Sequence, residues 1–227
     1  MVLRFLLSKA YSKAVDLYFD RHDGQACTIE DWLQVFEDST GRDLTQFKRW
    51  YSQAGTPHLK VTEDYEGDTF KLTFTQNTPP SATTADPQPQ VIPVAVGLLA
   101  PDGSETMGTQ VLEVTKTTQT FTFTGQKKRP VASVLRGFSA PVVMDHKADY
   151  AFLLAHDTDP FNRWQAGDTL AEASLIASIT RSTPVDPAYL DGLSKIIGDE
   201  NLDPAYRTLM LDFPNGAELA TKLHAIG

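Results

Sequence analysis

The sequence predicts a multidomain chain with α and β parts in series: helices, a β-sandwich of approximately seven strands, then a solenoid-like set of helices. Three observations carry this. Apolar residues recur at helical spacing up to about residue 57. The period then drops from 3.6 to 2 between about 58 and 147, and from about 148 Asp-Pro pairs open one short helix after another. The zones read as domains at 1–57, 58–147 and 148–227, and 227 residues is ample for two or three small domains.

In the first zone Leu3, Leu7, Tyr11, Ala14, Val15 and Tyr18 form one apolar stripe. After the turn His22-Asp23-Gly24, Thr28 with Asp31 three residues on predicts a helix start of the capping-box kind. Ile29, Trp32, Leu33 and Phe36 are its inward face, and Gly41 closes it. Asp43 is expected to cap a third helix carrying Leu44, Phe47, Trp50 and Tyr51 inward. That helix ends at RWYSQAGTP, Arg49–Pro57, where Gly55 can adopt a left-handed backbone and Pro57 forbids continuation.

Strict alternation over 70–75 and 120–124 predicts strands, with further candidates at 58–63, 91–99, 109–115, 131–137 and 141–146. Seven short strands separated by turn signals suggest a β-sandwich. Pro79–Gln90, rich in Pro, Thr and Ala, reads as a mobile loop. In the last zone Asp159-Pro160, Asp186-Pro187 and Asp203-Pro204 each combine an N-cap with a proline where no N–H is needed. Asn215 followed by Glu218 is a fourth start. Helices over 170–179, 189–197 and 206–211 suggest stacked α-hairpins.

Composition narrows the function. A formal charge of −9 argues against nucleic-acid binding, which needs clustered Lys and Arg; the one basic cluster, Lys127-Lys128-Arg129, reads as a solvated turn before Pro130. No apolar run is long enough for a membrane span, and MVLRFLLSKA is too short and too interrupted by Arg4 for a signal peptide. One cysteine, Cys27, excludes an intrachain disulfide framework and fits a reducing, cytoplasmic setting.

The chemistry-bearing residues do not assemble into a site. The histidines are His22, His58, His146, His156 and His224, and no two stand at i, i+4 as an H-E-x-x-H zinc helix requires. His22, Asp23 and Cys27 are metal-capable residue types but lack a fourth ligand, so a structural turn is expected. His146 and Asp145 are expected in solvent at the sandwich exit. Cys27, just before a helix cap, reads as half-buried filler. Glu30-Asp31 and Glu37-Asp38 read as a solvated helix face, and Trp32, Phe36, Phe47, Trp50 and Tyr51 as packing. There is no G-x-S-x-G elbow, G-x-G-x-x-G or P-loop. The expected set of catalytic, cofactor-binding and metal residues is therefore none.

The stretch FDRHDGQACTIEDWLQVFEDSTGRDLTQFKRWYSQAGTP, Phe19–Pro57, resembles the closing helices of the catalytic domain in the bacterial aminopeptidase N family of zinc gluzincins. RHDGQA, an acidic amphipathic helix and DL-x-x-F-x-RWYSQ-x-GTP occur in that order, and FSAPV at 138–142, DPFNRW at 159–164 and the Asp-Pro start at 203 extend the likeness. The resemblance implies the helical tail of a thermolysin-like catalytic domain, a whole β-sandwich, and the opening helices of a C-terminal α-solenoid domain. It implies zinc and peptide substrates for the full-length parent, and no cofactor in this chain. The family's H-E-x-x-H motif, downstream glutamate ligand, G-x-M-E-N stretch and transition-state tyrosine would all lie before Met1, so no role transfers to any residue here.

The implied partner is the rest of the same polypeptide, with self-association expected through terminal helix faces left exposed. MVLRFLL begins inside an amphipathic pattern with no cap before it, which suits an internal fragment. The competing reading is a non-enzymatic interaction module, a β-sandwich with helical flanks.

Overall fold

A computed structural model describes residues 8–226. The chain forms two compact units. The first comprises the chain up to Ala95, with Gln110–Lys127 and Ser139–Lys147; the second comprises Val96–Thr109, Lys128–Phe138 and the chain from Ala148 onward.

The first unit opens with α1 (Ser8–His22), α2 (Ile29–Thr40) and a single turn, α3 (Arg49–Ser52). Thr28 and Asp31 form the anticipated box: the Asp31 N–H donates to Thr28 Oγ1 at 3.2 Å, and the Thr28 N–H donates to Asp31 Oδ2 at 2.9 Å. Gly41 ends α2 in a left-handed backbone, donating to the Glu37 carbonyl. Ala14, Leu33, Val35, Phe36, Leu44, Phe47 and Val91 form the core here, with Tyr11, Tyr18, Trp32 and Trp50 packed around it. Leu3 and Leu7 of the apolar stripe lie outside the described residues.

The third helix departs from expectation. Asp43 caps only a turn, accepting from the Thr45 N–H at 2.8 Å. The amides of Arg49, Trp50 and Tyr51 then bond three residues back rather than four, so the chain winds tighter than an α-helix. At three residues per turn Leu44, Phe47 and Trp50 align while Tyr51 rotates away, and Tyr51 is 46% exposed. Ile29 is also exposed; it is the first residue of α2, and Val35 takes the inward place instead.

The same unit holds a four-stranded sheet in the order β5-β2-β1-β7, from β1 (His58–Glu66), β2 (Thr69–Asn77), β5 (Thr118–Phe123) and β7 (Val143–His146). β2 is antiparallel to β1 and β5, while β7 runs parallel to β1. The Phe-Leu-Phe alternation of β2 buries Phe70, Leu72 and Phe74 completely. The opposite face pairs Thr73 with Thr120 and Thr75 with Thr118 through their hydroxyls, at 2.8 and 3.3 Å.

Strands β3 (Ile92–Leu99), β4 (Glu105–Val114) and β6 (Val131–Val134) form a three-stranded sheet in the order β4-β3-β6, and the division between the units runs through β3 and β4. β3 is buried along its whole length, as its apolar run 91–99 requires. All seven strand positions read from the sequence are occupied. β6 stops at Val134 rather than 137 because Leu135, Gly137 and Phe138 take positive φ (62°, 58° and 49°), which no strand accommodates.

In the second unit α4 (Tyr150–His156), α5 (Pro160–Arg181), α6 (Pro187–Gly198), α7 (Pro204–Leu209) and α8 (Gly216–Ile226) follow one another. Asp159, Asp186 and Asp203 each cap the helix whose first residue is the following proline, and Asn215 accepts from the Ala217 N–H. α5 is longer than the 170–179 expected, running unbroken from its cap at Asp159. Leu99, Leu153, Leu154, Ala166, Ala171, Tyr189, Ile196 and Met210 form the core. No described helix is long and apolar enough to cross a membrane.

Candidate functional site: the buried Arg136 corner

The residues singled out by sequence occupy structural posts. Cys27 is a half-buried free thiol whose Sγ lies 3.5 Å from the Gln25 carbonyl. Its hydrogen bond to the Tyr18 hydroxyl pushes that phenol above its usual pKa. The His22 ring packs on Tyr18, with centroids 5.4 Å apart. Glu37 accepts from the Leu44 N–H at 2.9 Å and from Lys48 Nζ at 3.1 Å. Asp38 accepts from Arg21 and Gln34, while Lys127-Lys128-Arg129 is exposed.

His146 requires a correction. It is buried rather than solvated, with Nε2 2.9 Å from Glu63 Oε1. Parallel pairing sets His146 opposite Val61 of β1, within reach of Glu63 two residues on. Asp145, the next residue back, is exposed as expected.

The stretch around RWYSQ has a specific role inside the first unit. Gln46, Arg49, Trp50 and Gln53 all donate to carbonyls of Gln88–Val91: Gln46 to Pro89 at 3.1 Å, Arg49 also to Pro89, Trp50 Nε1 to Val91 at 2.7 Å, and Gln53 to Gln88 at 2.9 Å. The Gln88 N–H returns a bond to Gln53 Oε1 at 2.7 Å. The helix does not stop at Gly55; Gln53 ends it in an extended conformation, and Gly55 follows with φ 103°. These four side chains hold the exit of the loop at 79–90 that the sequence reads as mobile.

The most organised polar cluster was not singled out from sequence. In the second unit Arg136 is 2% exposed at its side chain. It donates to Ser133 Oγ (2.8 Å), Glu105 (2.6 Å), Thr109 Oγ1 (3.0 Å) and Asp157 Oδ1 (3.2 Å). Asp159 adds a second tie, accepting from the Gly137 and Asn162 N–H groups at 3.1 and 2.9 Å. Asn162 donates to Ser133 Oγ and to the Val134 carbonyl, both at 2.8 Å. Hydrogen bonds from Thr158 and then Arg136 hold Glu105 below the ordinary carboxylate range. Burial pushes Asp157 above it, against the pull of Ser133, the Asp159 amide and Arg136. The available sequence signal was an arginine inside an apolar run, VASVLRGF, followed about twenty residues on by Asp-Thr-Asp.

This arrangement fixes a corner. Four of the five guanidinium N–H donors of Arg136 are engaged, and Glu105 and Asp157 are committed to it. Among the described residues no group of three or more His, Cys, Asp or Glu is placed to hold a metal ion. The donor set of a catalytic zinc therefore does not fit this chain's described residues.

The fold and the corner define a class: an Ig-like β domain followed by ARM-type helices. Residues 55–147 match the family described as "Domain of unknown function (DUF3458) Ig-like fold", and residues 147–226 match "Domain of unknown function (DUF3458_C) ARM repeats". The chain is a homologue of a segment of bacterial aminopeptidase N. It is 35% identical to aminopeptidase N of Escherichia coli (strain K12) over 97% of this chain and 27% of that protein. It is 38% identical to that of Caulobacter vibrioides over 99% of this chain and 27% of that protein. Among solved structures, Legionella pneumophila aminopeptidase A in complex with aspartic acid superposes with a TM-score of 0.84 at 27% identity, covering 97% of this chain and 26% of that one. The chain thus spans about a quarter of the length of these relatives.

Proposed function

We propose that this chain is a scaffold segment of a zinc-dependent aminopeptidase of the aminopeptidase N type, an enzyme that removes N-terminal residues from peptides in the cytoplasm. The observation that carries this is a disproportion. Similarity runs over 97–99% of the chain but only 27% of the E. coli and Caulobacter relatives, while no metal-ligand cluster exists among the described residues. In this reading residues 1–57 close a thermolysin-like catalytic domain, 58–147 form the sandwich beside it, and 148–227 begin the helical C-terminal domain. The zinc ligands, general base and amine-binding glutamates belong to other parts of the same polypeptide, which is also the chain's principal partner.

The chain alone is expected neither to bind zinc stoichiometrically nor to hydrolyse an aminoacyl-anilide, whereas a polypeptide extended into its contiguous upstream coding sequence does both. Metal analysis and an anilide assay on the two proteins decide the matter. Turnover by the isolated chain, or an upstream frame without H-E-x-x-H, overturns the assignment.

The exposed apolar residues of the later helices and the α7–α8 connection, Leu190, Ile197, Leu209, Leu211 and Phe213 (the last 72% exposed), form part of a surface to be covered in the longer protein. The chain by itself is accordingly expected to self-associate as concentration rises. Sedimentation velocity reads this directly, and an unchanging monomer across a hundredfold range contradicts it.

A further inference from the structure

The corner where α4 meets α5 is held by Arg136 and Asp157. Asp157 has a side-chain exposure of 0%. Its Oδ1 accepts from Arg136 at 3.2 Å and from the Asp159 N–H at 3.0 Å, while Oδ2 is sealed from solvent with no hydrogen-bond partner. A carboxylate with one oxygen sealed from solvent and unpaired is under-satisfied when ionised, because burial opposes its charge more than Ser133, the Asp159 amide and Arg136 favour it. A neutral carboxylic acid in the same place carries no such charge.

We propose that this corner is a proton-operated clasp, closed most tightly when Asp157 is protonated and loosened when its carboxyl ionises. Every charged or titratable group facing Asp157 enters the balance. From the β side come Glu105 and Arg136; from the corner itself, Asp159; from α5, Arg163; from α7 and its cap, Tyr206 and Asp203. Arg136 is shared with Glu105 at 2.6 Å, nearer than with Asp157, so it does not offset the Asp157 charge alone.

The sign follows by linkage. Burial raises the Asp157 carboxyl in the closed state above the value it takes when the corner opens to water. The closed state therefore binds the proton more strongly, and acid favours closure. Raising pH through the closed-state value favours opening, and the Asp159 and Gly137 amides that bond within the clasp lose protection.

The test is hydrogen exchange on the whole chain, normalised for the intrinsic pH dependence of amide exchange. Protection across 149–163 and at Gly137 is expected to fall as pH rises from the ordinary aspartate range through the raised closed-state value. The fall is about tenfold for each pH unit separating the closed and open carboxyl values. Asp157→Asn keeps the shape and cannot ionise, so its protection is expected to stay level over the same range. Glu105→Gln is expected to retain the fall, since the responding proton is on Asp157. A level profile in the unmodified protein, an unchanged fall in Asp157→Asn, or a fall removed by Glu105→Gln but not by Asp157→Asn each overturns the proposal.

Discussion

Gly97→Ala is expected to destabilise the second unit by about 3–5 kcal/mol, the scale of disrupting a buried ion pair through one partner. A Cβ at this position would lie 2.2 Å from Arg136 Cζ, 2.3 Å from Nη1 and 2.6 Å from Nε. Nothing in the backbone at Gly97 demands glycine, for its φ is not positive. The requirement is space: β3 runs so close beneath the guanidinium that a methyl group and the arginine cannot coexist. Displacing Arg136 strips charged donors from Asp157 and Glu105 together, and a group 0% exposed cannot turn to water for replacement. A loss of this size is a large part of a domain's whole stability. Urea unfolding of the variant beside Gly108→Ala provides the control, because a Cβ at Gly108 in β4 meets nothing within 4 Å. Equal losses in both variants would rule out the steric account. A double-mutant cycle sharpens it further: once Arg136 is truncated to alanine, adding Gly97→Ala should cost little more.

The parts of this fold that were legible in the sequence are those fixed by neighbours along the chain. An Asp-Pro pair announces a helix start because the aspartate reaches the amides just ahead of it and the proline needs no donor, and all three pairs cap helices. The alternation in β2 needs only the period of the pleat. What could not be read depends on residues far apart in sequence. Arg136 finds Glu105 thirty-one positions back and Asp157 twenty-one ahead, and a lone arginine in an apolar run carries no mark of either. His146 is buried because β7 pairs with a strand more than eighty residues earlier, so the default of a solvated exit failed. Tyr51 failed for a local reason of another kind. The amphipathic pattern assumed 3.6 residues per turn, and a segment wound at three points that side chain outward. The candidate site was the least legible part, since a buried polar cluster is defined by partners and not by a motif.

Gln76→Leu is expected to cost about 3 kcal/mol and to release the loop at 79–90, and the reason lies in how many main-chain groups depend on one side chain. Gln76 is 4% exposed and Gln90 1% exposed. The Gln76 amide behaves like an extra peptide unit at the end of β2: Oε1 accepts from the Gln90 N–H at 2.8 Å, and Nε2 donates to the Gln90 carbonyl at 2.9 Å and the Lys116 carbonyl at 3.1 Å. Leucine fills comparable volume, so the packing loss is small, but it leaves the buried N–H and carbonyl of Gln90 and the half-buried Lys116 carbonyl without these bonds. Each such group carries a desolvation cost of about 1–3 kcal/mol, part of which relaxation recovers. The released groups sit where the loop returns toward Val91, beside the carbonyls that Gln46, Arg49, Trp50 and Gln53 grip. Loss of protection should therefore spread from Gln90 into the helical turn at 46–53. Hydrogen exchange distinguishes this from simple core damage: a Leu72→Ala variant of similar cost, emptying a fully buried site in the same strand, should lower protection in β1 and β2 before it frees the loop. If Gln76→Leu leaves the exchange of residues 88–91 unchanged, the side chain is not the tie that holds them. If it loosens the loop and the 46–53 turn together, one buried amide couples the RWYSQ segment to the sandwich strand that follows the loop.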